Sequence, residues 1–281
     1  MAYQWYPGHM TKAFRMMKED IKLIDLVIEL LDARAPLSSR NPDIDRLGQG
    51  RFRIIILNKS DLADENVNSE WTRYFTEKGY TVVGINARNG DGIGRIKPAI
   101  QKACREKIER DRARGIMNRP VRAMVAGIPN VGKSTFINSI AGKAATKTGN
   151  KPGVTKGKQW IKLNKNVELL DTPGVLWPKF DDERTGRILA FLGSINDDII
   201  EKRELACEFI THMMSECGYN GLIGERYGIS EGKKPYEILN DIALARNCLL
   251  KGGEPDPDRA ANLLIDDFRS GRLGRISLEK P

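Results

Sequence analysis

Long apolar runs, paired cysteines and histidines are all scarce in this sequence of 281 residues. No apolar run approaches the roughly 20 residues that a helix needs to cross a bilayer. The four cysteines include no C-x-x-C pair and only two histidines accompany them, so we expect neither a zinc site nor a disulfide framework. The first ten residues, MAYQWYPGHM, lack the apolar core of a signal peptide. We therefore expect a cytoplasmic protein that does not contact a membrane.

The sequence does contain enough apolar residues for a core, and an excess of basic ones. Hydrophobic residues make up 40% of the chain and charged residues 30%, which is typical of a soluble globular protein. The length allows one medium domain and a smaller one. The net charge of +9 favours a polyanionic partner, although many basic proteins bind no nucleic acid.

Short β-rich runs alternate with helical stretches over residues 1–178, which predicts an α/β domain. Several runs are continuously apolar, as in parallel strands covered by helices on both faces. A long, charged helical stretch is predicted over Ile96–Arg114. The predicted strands are Asp25–Leu31, Arg53–Leu57, Thr81–Ile85, Arg122–Ala126, Trp160–Leu163 and Val167–Leu170.

Beyond residue 178 the pattern is helical, and we predict a small helical domain over residues 179–281. Its clearest helix has Asp256 as N-cap, Pro257 in the first helical position and Gly271 at its end. A second helix is predicted over about Tyr236–Leu250. The apolar stripe of the first helix consists of Ala260, Leu264 and Phe268.

The strongest motif is GIPNVGKS at 127–134, which fits G-x-x-x-x-G-K-[ST] and follows a predicted strand. Its glycines let backbone N–H groups turn toward phosphate oxygens at the N-terminus of the next helix. Lys133 supplies positive charge near the terminal phosphates and is expected to be catalytic, while Ser134 offers a hydroxyl to Mg²⁺. An ordinary glycine-rich turn is the alternative. The predicted nucleotide contacts are Asn130, Val131, Gly132, Lys133, Ser134 and Thr135.

The segment Asn58-Lys59-Ser60-Asp61 indicates which base is bound, because it follows a buried strand and fits N-K-x-D. The carboxylate of Asp61 can accept two hydrogen bonds from the ring N–H and amine of guanine, and adenine presents no such pair of donors. We expect Asn58 to bond the ring edge and the stem of Lys59 to lie over the base. A polar turn is the alternative for four such residues.

A third base-reading segment is predicted at Asn86 and Ala87, where the Ala87 N–H would reach the guanine carbonyl oxygen. This match is loose, and a plain loop remains open. On the phosphate side, D-T-P-G at 171–174 ends a strand. Asp171 is placed to hold Mg²⁺ through water, the Gly174 N–H to contact the γ-phosphate, and Thr155 to complete the Mg²⁺ shell. A common D-x-P-G turn is the alternative.

The base-reading segments precede the phosphate loop, which is the reverse of the usual order in GTPases. The same sheet can form only if the usual ends are joined and a new break opens after D-T-P-G. The chain resembles the circularly permuted GTPases, and more specifically the bacterial ribosome biogenesis GTPase A family. The resemblance rests on this order, on Trp5–Met10, on Asp32-Ala33-Arg34 and on Phe268–Gly274.

The resemblance implies a P-loop GTPase fold with a circularly permuted, parallel-type sheet, followed by the helical domain. It also implies Mg²⁺-dependent hydrolysis of GTP to GDP, slow alone and stimulated by ribosomal subunits. The implied partners are ribosomal RNA and the precursor of the large subunit, on which the protein would promote a late assembly step.

Hydrolysis needs a group that orients the attacking water, and many small GTPases use a glutamine directly after D-x-x-G. Here that position is Val175, so we hypothesise that His9 takes the role; a surface histidine is the alternative. We further hypothesise that Asn130 helps to hold K⁺ near the β- and γ-phosphates. A turn asparagine that satisfies the local backbone is the alternative.

Three basic patches are candidates for RNA contact, although each alone is more often a solvated face. They lie in the N-terminal arm, in the loop between the phosphate loop and D-T-P-G, and near the C-terminus. Their basic residues are Lys12 and Arg15; Lys151, Lys156 and Lys158; and Arg269, Arg272 and Arg275.

Three functions remain open from the sequence. We favour a monomeric GTPase that assembles the large ribosomal subunit. A GTPase that regulates a non-ribosomal partner and an RNA-binding module with a structural nucleotide site are the alternatives.

Overall fold

The computed structural model describes residues 6–116, 119–142, 159–180, 182–230 and 232–281. Within these ranges the strands are β1 Leu26–Asp32, β2 Phe52–Asn58, β3 Thr81–Ile85, β4 Val121–Ala126, β5 Gln159–Asn164 and β6 Val167–Asp171. The α-helices are α1 Gly8–Asp20, α2 Pro42–Leu47, α3 Glu65–Glu77, α4 Ile96–Ala103, α5 Arg105–Ala113, α6 Lys133–Ala141, α7 Glu183–Phe191, α8 Lys202–Ser215, α9 Leu222–Tyr227, α10 Pro235–Ala245 and α11 Pro257–Ser270.

The strands form one sheet of six in the order β3-β2-β1-β4-β6-β5. All neighbours are parallel except β5 and β6, which are antiparallel. Only Lys165 and Asn166 separate β5 from β6, and so short a connection can join only antiparallel strands. The predicted α/β fold with a mostly parallel sheet and a helical C-terminal part is confirmed.

The central strand β1 is buried along its whole length, as expected for a parallel strand with both faces covered. It pairs with β2 in a register that sets Asp32 opposite Asn58, and with β4 on its other side. Because parallel strands end at the same edge of a sheet, the segments that follow β1, β2, β3, β4 and β6 all emerge at one edge.

The helical stretch predicted over Ile96–Arg114 consists of two helices, and one predicted helix boundary further along the chain is wrong. The stretch is divided at Cys104, whose ψ of 15° is not helical. The break lets α4 pack on β2 and β3, while Lys107 of α5 pairs with Asp111 at 2.8 Å. The helix expected to reach Leu250 ends at Ala245, and soon afterwards Asn247 adopts a left-handed backbone with φ of 52°.

Helix α11 is confirmed in detail. The Asp256 carboxylate accepts a hydrogen bond from the Arg259 N–H at 3.1 Å, as expected of an N-cap. The helix ends at Gly271 with φ of 80°, a conformation that favours glycine. A Cβ at Gly271 would also lie 2.6 Å from the Leu62 side chain. The end of α11 therefore sits directly against the segment that follows N-K-S-D.

The residues after α11 contact the segments that follow β1 and β2. The Ile276 N–H donates to the Leu62 carbonyl at 2.9 Å, and the Leu278 N–H donates to the Arg34 carbonyl at 2.7 Å. Glu279 accepts from the Ser38 hydroxyl at 2.6 Å. We call residues 272–279 the C-terminal tail. The division predicted between residues 178 and 179 stays a prediction. The C-terminal tail belongs to the second predicted domain but contacts residues of the first.

Among the described helices, none combines the length and apolar composition required to cross a bilayer.

Candidate nucleotide-binding site

Asn58 joins the segments that the sequence predicted to surround one nucleotide. It ends β2 and is buried. Its side-chain Nδ2 donates to the Val131 carbonyl of the phosphate loop at 2.8 Å, and its Oδ1 accepts from the Ala87 N–H at 3.1 Å. The N-K-S-D segment, the phosphate loop and the Asn86-Ala87 segment thus meet at one edge of the sheet, although they are separate along the chain.

The phosphate loop needs glycine where it passes Asn58. Gly132 has φ of 98°, and a Cβ there would lie 2.4 Å from the Asn58 Nδ2. Any side chain at Gly132 would therefore push the two segments apart. Helix α6 begins at the next residue, Lys133, so the N–H groups of the loop and of the first helical turn form an anion-binding end.

Lys133 lies inside the loop and not on the surface. It is buried, and its Nζ donates to the carbonyls of Gly127 at 3.1 Å and Ile128 at 2.8 Å. Burial lowers the pKa of Lys133 to about 8, while the charge of Asp171 opposes this shift. The ammonium group is thus held by carbonyl oxygens of the phosphate loop itself.

Asp171 ends β6 and is buried. Among the described residues, neither of its carboxylate oxygens has a hydrogen-bond partner. Burial raises the pKa of Asp171 to about 6, and the positive charge of Lys133 opposes the rise. A buried carboxylate is costly without a partner, and a hard divalent cation with oxygen ligands would supply one. The carboxylate of Asp171 and the hydroxyl of Ser134 therefore fit Mg²⁺.

The D-T-P-G segment packs against the phosphate loop. A Cβ at Gly174 would lie 2.7 Å from the Lys133 Nζ and 2.8 Å from the Pro129 Cα, so only glycine fits this approach. The Thr172 hydroxyl donates to the Val125 carbonyl at 2.7 Å. Val175 is fully buried. The position that holds the water-orienting glutamine in many GTPases is therefore part of the core here.

On the base side, Lys59 is anchored at two points. Its Nζ donates to the Asp32 carboxylate at 2.8 Å and to the Asn130 carbonyl of the phosphate loop at 2.9 Å. The next residue, Ser60, donates through both its N–H and its hydroxyl to the Ile85 carbonyl. Asp61 is exposed, so its carboxylate is accessible to a base.

Sequence reasoning missed Asp32 as a member of this site and used it only as a family signature. The available signal was a carboxylate at the end of a buried strand. Two strands, β2 and β3, separate β1 from β4 and the phosphate loop along the chain, but β1 lies directly between β2 and β4 in the sheet.

The two residues hypothesised to assist hydrolysis lie in different surroundings. His9 lies in the first turn of α1 and is exposed, as are Lys12 and Arg15 on the same helix. Asn130 has a left-handed backbone with φ of 57°, and its Nδ2 donates to the Gly193 carbonyl after α7 at 2.6 Å. The helical region thus orients the Asn130 side chain.

Arg269 has several partners within the protein, and its contact with RNA stays a prediction. Its guanidinium donates to the carbonyls of Phe191 at 2.9 Å and Ala190 at 2.8 Å, and it pairs with Asp197 at 2.6 Å. Sequence charge does not reveal such acceptors, because they belong to another helix.

Arg272 and Arg275 also have protein partners, but their side chains are about half exposed. Arg272 pairs with Asp267 at 2.6 Å, and Arg275 donates to the Ala63 carbonyl at 2.9 Å. Their contact with RNA stays a prediction. The predicted site residues Lys151, Thr155, Lys156 and Lys158 lie outside the described residues.

Comparison with known proteins places this geometry in a family. Residues 122–239 match the family model described as 50S ribosome-binding GTPase. Ribosome biogenesis GTPase A from Bacillus cereus is 45% identical over 282 residues, covering 100% of this chain and 95% of that protein. The protein of the same name from Thermotoga maritima is 34% identical over 280 residues, covering 99% and 94%.

Solved structures agree with these relatives. GNP-bound YlqF from T. maritima matches with a TM-score of 0.69 and 30% identity, covering 96% of this chain and 98% of that chain. A GDP-bound structure of YlqF matches with a TM-score of 0.69 and 28% identity, covering 95% and 99%. Because the similarity extends over the sheet, the permuted motifs and the helical region together, this chain belongs to the ribosome biogenesis GTPase A family of GTP-hydrolysing proteins, which generally use Mg²⁺.

Proposed function

We propose that this chain is a GTP-hydrolysing switch that binds the precursor of the large ribosomal subunit through ribosomal RNA and promotes a late step of its assembly. The observation that carries the nucleotide part is Asn58, which joins the phosphate loop to both base-reading segments. The names of the relatives and the net charge of +9 support the ribosomal part. The protein acts as a cytoplasmic monomer.

In this function the phosphates of GTP or GDP lie on the loop and on the first turn of α6, next to Lys133. The base lies against Asp61 and the Ala87 N–H, beside Asn58 and Lys59. Asp171, Ser134 and Thr155 hold Mg²⁺, which neutralises charge on the β- and γ-phosphates. Gly174 would respond to the γ-phosphate, and its close approach to Lys133 supports this role.

The ribosomal part is tested by cosedimentation with purified ribosomal subunits, with GDP and with a non-hydrolysable GTP analogue. We expect binding to the large subunit that is stronger with the analogue, and hydrolysis that subunits accelerate. Binding to neither subunit in either state would indicate a non-ribosomal partner. Binding without any hydrolysis would indicate an RNA-binding module with a structural nucleotide site.

The lysine-rich loop is tested by charge reversal. Changing Lys156 and Lys158 to Glu should weaken GTP-dependent binding to the subunit more than it weakens binding of GTP, because the two lysines would contact phosphates of the RNA. Matched reversal of Lys102 and Lys165, which are exposed, should leave both unchanged. Equal loss of nucleotide and subunit binding in the loop variant would contradict an RNA role.

The proposed role of His9 is to orient the attacking water. His9→Ala should slow both basal and subunit-stimulated turnover by about 10²–10⁴-fold, the range of general acid–base contributions, with little change in GTP affinity. Unchanged turnover in both assays would remove His9 from the mechanism.

The proposed role of Asn130 is to help hold K⁺ near the β- and γ-phosphates. Because its Nδ2 is bound to the Gly193 carbonyl, its Oδ1 is the side-chain atom that would face the cation. Turnover should be faster in potassium chloride than in sodium chloride at equal ionic strength, and Asn130→Ala should abolish the difference. Equal turnover of the unmodified protein in the two salts would remove K⁺ from the account.

A further inference from the structure

Asp32 and Arg34 form a buried charged pair beside the base-reading segment. Both side chains are almost fully buried. The Arg34 Nε donates to one oxygen of Asp32 at 2.9 Å and its Nη2 to the other at 2.9 Å. This two-bonded geometry fixes the carboxylate plane as well as its position. The same carboxylate accepts the Lys59 Nζ at 2.8 Å.

A buried ion pair is weak evidence for stability, because removing two charges from water costs about as much as their attraction returns. Burial opposes ionisation of Asp32, but the charges of Arg34 and Lys59 outweigh it and lower the pKa of this carboxyl. Burial also lowers the pKa of Lys59, and the charge of Asp32 opposes that shift. The charged carboxylate of Asp32 thus holds the Lys59 ammonium group in place.

The far side of Arg34 rests on the end of α11. Its guanidinium carbon lies 4.8 Å from the centre of the Phe268 ring, and its Nη1 faces the carbonyls of Phe268 and Arg269, each at 3.5 Å. A cation is favoured there by the exposed carbonyls of a helix C-terminus. The Arg34 carbonyl also accepts a hydrogen bond from the Leu278 N–H of the C-terminal tail at 2.7 Å.

A continuous chain of contacts therefore runs from the guanine-reading segment into the helical region. Lys59 touches both the phosphate loop and Asp32, Asp32 touches Arg34, and Arg34 touches α11 and the tail. We propose that Asp32 and Arg34 are positioning residues for guanine-nucleotide binding, which hold Lys59 in place and make its position depend on the C-terminal end of α11.

The proposal does not depend on the ribosomal partner, since every group in the chain of contacts belongs to this protein. If a bound nucleotide fixes Lys59, it also favours the position in which α11 rests on Arg34. By linkage, moving α11 into or out of this position changes the affinity for nucleotide by the same factor by which nucleotide changes the position of α11.

The test is a double-mutant cycle on GDP affinity, measured by calorimetry with Mg²⁺ and the full chain. Asp32→Asn and Lys59→Met should each weaken GDP about tenfold, the loss expected of a charge-assisted hydrogen bond. Since Asp32 acts through Lys59, the double variant should also be about tenfold weaker, and not the roughly hundredfold expected of independent sites. Additive losses would overturn the proposal.

Asp111→Asn is the matched control. Asp111 is also buried and is paired with Lys107 at 2.8 Å, but this contact lies within α5 and involves neither the base-reading segment nor α11. The effect of Asp111→Asn on GDP affinity, whatever its size, should add to that of Lys59→Met. Coupling of Asp111 to Lys59 as strong as that of Asp32 would show a general loss of structure and contradict the proposal.

A second measurement separates positioning from damage. Inorganic tripolyphosphate, tested as a competitor of GDP, contacts only the phosphate side, so its affinity for Asp32→Asn should stay within about twofold while that of GDP falls about tenfold. Equal losses for both ligands would contradict the proposal. If Asp32→Asn does not fold, Phe268→Leu keeps every charge and removes the ring that lies beneath Arg34 and also packs against Phe209. GDP binding should then weaken about threefold with tripolyphosphate unchanged. An unchanged GDP affinity would overturn the proposal.

Discussion

The phosphate side and the base side of the site differ in how far the protein itself satisfies their polar groups. On the phosphate side, the carboxylate oxygens of Asp171 lack hydrogen-bond partners among the described residues, and burial raises the pKa of Asp171 toward its neutral form. On the base side, Asn58 and Lys59 are each held by two bonds from the protein.

The difference indicates that the two sides of the site have different roles. A buried charge without a partner destabilises the folded chain, so the phosphate side gains most when metal and nucleotide arrive. The base side is assembled beforehand, which reduces the ordering that binding requires. We therefore expect substitutions on the phosphate side to alter hydrolysis and metal dependence, and substitutions on the base side to alter affinity and the choice of base.

The largest expected effect is on the phosphate side. Lys133→Ala should lower the rate of hydrolysis by about 10²–10³-fold, because it removes a preorganised positive group from the charge that develops on the phosphates. Single-turnover hydrolysis with saturating GTP measures this. Lys102→Ala, a change at an exposed lysine, should have no effect. A rate within twofold of that of the unmodified protein would show that Lys133 stabilises the phosphate loop but does not assist hydrolysis.

The next effect is a change of base on the other side. Asp61→Asn should weaken GTP by about 10–100-fold, the value of a hydrogen bond to a charged group, and should strengthen xanthosine triphosphate, whose ring offers an acceptor where guanine has its amine. Competition binding of the two nucleotides gives the ratio. Asp198→Asn serves as control, since Asp198 is exposed outside the site. Unchanged GTP affinity would mean that N-K-S-D is only a turn.

A smaller effect concerns the metal. In unmodified protein, removal of Mg²⁺ with a chelator should weaken GTP about tenfold, because Asp171 loses its cation, and in Asp171→Asn the chelator should change little. Thermal unfolding with GTP, with and without Mg²⁺, measures both effects, since the stabilisation by a bound ligand grows with the logarithm of its concentration divided by its Kd. An Asp171→Asn protein with full dependence on Mg²⁺ would place the metal elsewhere.

The smallest effect on nucleotide binding comes from the C-terminal tail. Glu279→Ala removes the carboxylate that accepts from the Ser38 N–H at 3.0 Å and its hydroxyl at 2.6 Å. It should lower the free energy of unfolding by about 2 kcal/mol and change GDP affinity less than about threefold. Denaturant unfolding and calorimetry measure the two quantities. A tenfold loss of affinity would show that the tail acts directly on the base side.

The sequence predicted those parts whose signal is local. Strand β3 has the predicted bounds, and the caps of α11 follow from Asp256 and Gly271, because both depend on a few adjacent residues. The phosphate loop was predictable for the same reason. The break at Cys104 was not, since it depends on where α4 packs and not on helix propensity.

The parts that could not be predicted depend on residues distant in sequence. Arg34 and Phe268 are 234 positions apart, and no periodicity relates them. The contacts of Arg269 with Ala190, Phe191 and Asp197 likewise join residues 72 to 79 positions apart. Asp32 was visible as a motif, but its partner Lys59 became evident only from the strand order.

The central claim is that separate stretches of this permuted chain enclose one guanine nucleotide. Calorimetry of the full chain with Mg²⁺ tests it most directly, with GTP, GDP and ATP titrated in turn. The account predicts one site per chain that binds GTP and GDP and gives no heat with ATP. Heat for neither GTP nor GDP, or equal binding of ATP, would contradict it.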